Sequence, residues 1–370
     1  MSPRSDRITV SEWLTAWRLD VPLLTGLLIC LALGLLVLYS ASGQSMQMMT
    51  NQALRLGVGL VAMFVVAQIP PEWYRTAAPW LYGLSVALLL IVIAVGTTAM
   101  GAQRWLDLGF IRFQPSELVK LAVPLCVAAF LHDRALPPGW RVVLVTLLLL
   151  AVPAVLIGLQ PDLGTALLVV AAGAFVVFLA GVHWRLMALL ALLAAAAGPL
   201  LWYNMHSYQK TRVLTLLNPA SDPTGAGYHI TQSKIAIGSG GLFGKGWLNG
   251  SQAHLNFLPE SNTDFVFAVF AEETGLMGVL ALLTVYFFII LRGLYIAWRS
   301  QDTFQRLLAG SLSLTFFVYV FVNIGMVIGI LPVVGVPLPL VSYGGTSMVV
   351  LLMSFGMLMS INTHRRLLAT

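Results

Sequence analysis

The sequence predicts an all-α polytopic membrane protein of about ten transmembrane helices, with a long extracytoplasmic loop between the seventh and the eighth. Three observations predict it. Hydrophobic residues make up 59% of the 370 and charged residues only 9%, whereas soluble domains carry roughly 25% charged residues. Apolar runs near the 20 residues that cross a hydrocarbon core about 30 Å thick recur along the chain. Charges and Pro/Gly-rich breaks separate those runs, so the net charge of +6 does not read as a nucleic-acid surface.

The spans are expected at 21–40, 56–69, 79–99, 117–131, 142–159, 163–181, 186–203, 265–291, 307–330 and 345–361. The first apolar run is longer than the roughly 7–15 residues of a signal-peptide core, so it reads as an uncleaved span despite the small residues Ser40-Ala41-Ser42 behind it. The second is short and contains Gly57 and Gly59. The two cysteines, Cys30 and Cys126, lie inside apolar runs and offer neither a disulfide framework nor a metal spacing. One membrane domain, 1–370, accounts for the whole chain. With the N-terminus in the cytoplasm, twelve of the 20 Lys and Arg fall on the cytoplasmic side and eight outside. Four of those eight lie in the 204–263 loop, and loops that long report orientation poorly. Both termini are therefore expected in the cytoplasm and the loop outside.

The loop holds a glycine-dense run, GSGGLFGKGWLNG. It fails as a nucleotide-binding P-loop, because Ser239 stands where glycine is required and Gly246 replaces the magnesium-ligating Ser or Thr. It reads either as a tight turn at the membrane surface or as a concavity of N–H groups that, with Lys245, attracts an anion.

Where the loop enters the eighth span stand three carboxylates. Asp264 sits at the helix start, where a capping role is the ordinary reading. Asp264, Ala268, Ala271 and Gly275 share one helix face, which leaves room for a neighbour or a ligand. Glu272 and Glu273 lie about 12 Å further along. Buried acids need partners, and Arg104, Arg112 and Lys120 are the expected ones. Glu117 and Lys120 stand at i and i+3 at the start of the fourth span, either as a self-satisfying ion pair or as a phosphate-binding lysine held by its glutamate. Asp162, in QPDLGT, fits turn and cap chemistry. The segment Gly329 to Gly345 has too many prolines for a helix and is too apolar for an exposed loop. It should be re-entrant and buried against protein. Ser342 and Tyr343 near its end, with Asp162, Glu272 and Glu273, count as supporting residues.

Taken in order, GAQRWLDLG, QPSELVK, QPDLGT, FLPESNTDFVFAVFAEETG and NIGMVIGILPVVGVPLPLVSYGG resemble the SEDS family of shape, elongation, division and sporulation proteins, over nearly the whole chain. GVPLPLVSYGG and GAQRW are closer to its elongation branch than to its division branch. The resemblance implies a peptidoglycan glycosyltransferase of the bacterial inner membrane that polymerises lipid II into β-1,4-linked strands, with inversion, during elongation and rod-shape maintenance. It also implies a class B penicillin-binding protein and other elongation-complex membrane proteins as partners, and no nucleic acid. The family's catalytic aspartate falls on Asp264, and its fourth-helix Glu and Lys fall on Glu117 and Lys120. Lys120, Arg104, Lys210, Arg212 and Lys245 are the candidate contacts for the diphosphate, with Mg or Mn as a candidate divalent helper. Two alternatives stay open: a flippase for lipid-linked sugars, which also uses intramembrane charges and broken helices, and a scaffold without chemistry.

Overall fold

The computed structural model describes residues 17–99, 102–107, 112–205, 207–222, 225–254, 257–258 and 260–364. Arg4, Arg7, Arg365 and Arg366, which enter the orientation argument, lie outside them, as do Pro223 and Pro259 of the long loop. Among the described residues, ten long helices form the bundle: α1 (Val21–Ala41), α2 (Met46–Gln68), α3 (Pro71–Val95), α4 (Pro115–His132), α5 (Trp140–Leu159), α6 (Leu163–Leu179) and α7 (Trp184–Asn204), then, after the loop, α11 (Val266–Arg299), α12 (Thr303–Val327) and α13 (Thr346–Thr363). Eight are long and apolar enough to cross a membrane, and α6 and part of α7 form shorter apolar helices. The loop itself carries α8 (Ser207–Leu217), a 3-10 turn (Pro219–Ser221), α9 (Ala226–Gly240) and the short α10 (Ser251–His254).

Helix starts follow local chemistry. Asp20, Ser45, Asp162 and Asp302 each accept a hydrogen bond from a backbone N–H of the first turn of α1, α2, α6 and α12, satisfying donors that a helix leaves orphaned. Two starts come earlier than the hydropathy suggested. Helix α2 begins at Met46, not near 56, because Gln52 is buried and bonded to the Gly329–Gly345 segment through the Ser342 carbonyl at 3.4 Å and the Gly344 N–H at 3.3 Å. A polar residue with partners does not end a helix. Helix α3 begins at Pro71, and Pro79 lies inside it. The all-helical expectation also omitted a small antiparallel sheet, β1 (Thr97–Ala99), β2 (Ala102–Asp107) and β3 (Arg112–Phe113), in order β1-β2-β3.

Helices α2 and α13 pack closely at Gly356, where a Cβ would stand 2.5 Å from the Met63 carbonyl. At one end of the bundle, Arg292 grips Asp20 through two bonds of 2.6 and 3.0 Å, and Asn362 donates to the same carboxylate at 2.6 Å. Asp302, at the start of α12, lies 3.3 Å from His132 at the end of α4. These contacts bring the starts and ends of α1, α11 and α13 together, so the two described chain ends share one face. The long loop and the Gly329–Gly345 segment lie at the opposite end.

Candidate active site

The site grows from the way the loop end is plugged. Residues 329–345 form no helix, as expected, and Val333, Val336, Leu338, Leu340 and Val341 are buried. The segment reaches inward: the Tyr286 hydroxyl donates to the Pro339 carbonyl at 2.7 Å, and a Cβ on Gly34 of α1 would stand 2.7 Å from the Leu340 carbonyl. Irregular backbone is tolerated at this depth because protein partners satisfy its polar groups. Ser342 shows the economy of the arrangement. Its hydroxyl accepts from the Leu338 N–H at 2.8 Å and donates to the Thr263 carbonyl at 2.6 Å. The Tyr343 N–H donates to the Asn262 carbonyl at 2.9 Å. Both supporting residues thus hold the chain just before Asp264.

Asn323, fully buried on α12, completes the grip. Its amide donates to the Asp264 carbonyl at 2.9 Å and to the Val336 carbonyl at 2.7 Å. From Asp302 to Asn323 the helix rises 21 residues, roughly 31 Å at 1.5 Å each, close to a hydrocarbon core of about 30 Å. Asp264 therefore stands near the far membrane surface, at headgroup depth. It does not cap α11: Phe265 occupies that position, and no side chain bonds the first turn. Among the described residues no N–H or O–H donates to the Asp264 carboxylate, and the bond from Asn323 goes to its backbone carbonyl. Burial first, and then the charge of Glu260, raise its pKa from 3.8 to about 6, while the Arg212 charge pulls the other way.

Glu272 and Glu273 are buried, as expected of intramembrane acids, but of the three expected partners Arg104 faces Asp162 and Lys120 faces Glu117, and the side chain of Arg112 lies outside the described residues. Helix α11 breaks at Gly275, whose φ of 65° and ψ of −167° are not helical. The glycine turn fills that break. Leu276 and Met277 donate their N–H groups to the Gly241 and Leu242 carbonyls at 3.0 and 3.1 Å, while Lys245 and Gly246 donate to the Glu272 and Glu273 carbonyls at 3.0 Å each. Four backbone groups freed by the break are thereby satisfied. Side chains are excluded on both faces, since a Cβ on Gly275 would stand 2.3 Å from the Gly244 nitrogen. Glu272 anchors the turn and the start of α10, accepting from Lys245 Nζ at 2.6 Å, the Ser251 N–H at 3.0 Å, Ser251 Oγ at 2.9 Å and the Gln252 N–H at 3.2 Å. Glu273 accepts from Ser40 of α1. The turn reading of the glycine run holds, and its N–H groups at 245 and 246 face carbonyls rather than an anion.

The remaining predicted residues separate into two kinds. Lys120 lies 2.7 Å from Glu117, both buried, and its ammonium sits 5.3 Å from the Tyr319 ring. Tyr319 is one turn below Asn323 on α12, so the pair lies under the site. Asp162 caps α6, lies 3.6 Å from Arg104 and accepts from Gln114 at 3.4 Å. Arg104 also donates to the Pro161 carbonyl at 2.9 Å. Lys120, Arg104 and Lys245 are thus each committed to a carboxylate. Lys210 and Arg212, both on α8, are the other kind: Lys210 is bonded to the Tyr203 carbonyl at 3.1 Å, and Arg212 acts on Asp264 by charge. No group of three or more His, Cys, Asp or Glu that could cage a metal occurs among the described residues. Sequence reasoning missed Gln52 and Asn323, polar residues in apolar helices whose burial was the available signal.

A multi-pass helical membrane protein with a half-buried acid whose carboxylate has no hydrogen-bond donor among the described residues narrows the candidates, and comparison with known proteins completes the assignment. A family model described as "Cell cycle protein", covering FtsW, RodA and SpoVE, matches residues 21–367. The chain belongs to this SEDS family. Peptidoglycan glycosyltransferase MrdB of Escherichia coli K12 is 56% identical over 352 residues, 95% of each chain. Among solved structures, a chain of a peptidoglycan synthase complex that coordinates polymerization and crosslinking superposes with a TM-score of 0.81 at 33% identity, covering 93% of this chain and 97% of that one. The rod shape determining protein RodA of Thermus thermophilus does so with a TM-score of 0.71 at 32% identity, covering 93% and 96%.

Proposed function

We propose that this chain is a peptidoglycan glycosyltransferase of the bacterial inner membrane, polymerising lipid II with Asp264 as the general base. The donor sugar carries a lipid diphosphate at its anomeric carbon, and the acceptor is the 4-hydroxyl of the GlcNAc of lipid II. As the acceptor oxygen bonds the anomeric carbon from the face opposite the diphosphate, Asp264 takes its proton and the carbon–oxygen bond to the diphosphate breaks. Inversion gives a β-1,4 bond.

The observation that carries this reading is the state of Asp264: half-buried, with no hydrogen-bond donor on its carboxylate among the described residues, and with its pKa pushed by burial up to about 6. A base poised near the working pH combines the charged form with useful basicity. Headgroup depth suits a reaction in which a diphosphate stays at the surface and its lipid tail stays in the bilayer. Lys210 and Arg212 supply positive charge on the loop side for the leaving diphosphate, whereas the Glu117–Lys120 pair supports the site from below. The positive-inside count supports cytoplasmic termini and an extracytoplasmic site. The relative found in a peptidoglycan synthase complex supports a class B penicillin-binding protein as partner, which would crosslink the strands made here.

A flippase is disfavoured by the plugged break at Gly275, where the turn from Gly241 to Gly246 consumes the freed backbone groups. The test is polymerisation of labelled lipid II by the purified chain with its class B partner. Asp264→Ala should reduce strand formation by roughly 10²-fold or more, and full activity in that variant would overturn the assignment.

A further inference from the structure

We infer that Gly335 is a specificity-determining residue, keeping open the approach by which a sugar hydroxyl reaches Asp264. The inference rests on Asp264 being the base. Gly335 is exposed, and a Cβ built on it would meet, among the described residues and within 4 Å, only Asp264 Oδ2 at 3.5 Å. The space in front of the carboxylate is therefore bounded on this side by bare backbone. Any side chain at 335 would project beside the reacting oxygen, where the acceptor ring must lie for its hydroxyl to come within about 3 Å.

The wall cannot retreat to accommodate one. On one side of Gly335, the Val336 carbonyl is held by Asn323 at 2.7 Å. On the other, the Val334 carbonyl is packed so closely on the first turn of α6, next to the α5–α6 turn, that a Cβ on Gly164 would stand 3.0 Å from it. That turn is fixed by Asp162, which caps α6, and by Arg104, which donates to the Pro161 carbonyl. Asp162 and Arg104 thus act on the site at one remove, as the seat of the wall. The φ of Gly335 is +76°, a conformation that glycine adopts freely and asparagine tolerates. Gly335→Asn is consequently the informative change: it keeps the backbone and places an amide against the carboxylate.

The experiment uses the full chain with its class B partner, labelled lipid II over a concentration series, and a thermal melt of each variant. In Gly335→Asn the lipid II concentration for half-maximal rate should rise about tenfold or more, the range that mismatched pocket contacts produce. The acid limb of the rate against pH should also move below about 6, because an amide donating to Asp264 favours its charged form. A residue that only shaped the fold would leave that limb in place. A folded Gly335→Asn variant with the parent's half-maximal concentration and acid limb overturns the inference. If Gly335→Asn does not fold, Asp162→Ala decides in the same assay, because it loosens the seat of the wall without strain at 335, with an unchanged half-maximal concentration counting against the proposal. Asp264→Ala is run beside them. Activity there sinks the base assignment, whereas an inactive Asp264→Ala with a normal Gly335→Asn sinks only the role of Gly335.

Discussion

The two ends of the short helical stretch from Val266 to Thr274 carry the same functional group in opposite states. At one end, Asp264 is gripped through its backbone carbonyl while its carboxylate finds no donor among the described residues. At the other, the fully buried Glu272 receives an ammonium, a hydroxyl and two backbone N–H groups. A buried charge costs little when it is paired and bonded on every side, and then it serves as an anchor. A carboxylate left short of donors is destabilised in its charged form, and that same deficit is what makes it a base. Structure and reactivity are thus divided between acids two turns apart.

The comparison can be broken most sharply by exchanging their fates. Asp264→Ala should reduce polymerisation by roughly 10²–10⁴-fold, the range for loss of a general base, without lowering the melting midpoint. Glu272→Ala should do the reverse, destabilising by about 3–5 kcal/mol, since Lys245 and the start of α10 lose their buried partner. A thermal melt in detergent measures this, and a parent-like midpoint would contradict the anchor role. Next in size is the pH response. Activity should fall as pH drops through about 6, seen as an acid limb in initial rates. The sign for stability is opposite: the folded pKa lies above the ordinary 3.8, so ionised Asp264 weakens the fold above about 6 and the cost vanishes below 3.8. Asp264→Asn should therefore raise the melting midpoint at pH 8 and lose that gain near pH 4. Smallest is Ser342→Ala, which removes one bridging hydroxyl and should cost about 1 kcal/mol, measured by the same melt.

The helices were legible because lipid imposes a length and an apolar surface that a single strand of sequence displays directly. The exceptions are instructive. Hydropathy placed the start of α2 near 56 because Gln52 and its polar neighbours look like a loop, yet Gln52 is bonded to Ser342 and Gly344, 290 and 292 residues away. The break at Gly275 was invisible for a related reason. EETGLMG reads as continuous helix until the glycine turn, some thirty residues earlier, is seen to occupy the gap. Lys245 and Arg104 looked available for a diphosphate because their partners, Glu272 and Asp162, are remote in sequence.

What the sequence by itself determined was the membrane class, the irregular re-entrant segment, the family resemblance and the position of Asp264, because these rest on composition, local pattern and ordered motifs. Only the tertiary structure decided which acid is spent and which is free. That distinction depends on hydrogen-bond donors supplied by distant segments, and a carboxylate's chemistry is set by those donors rather than by its neighbours in the chain.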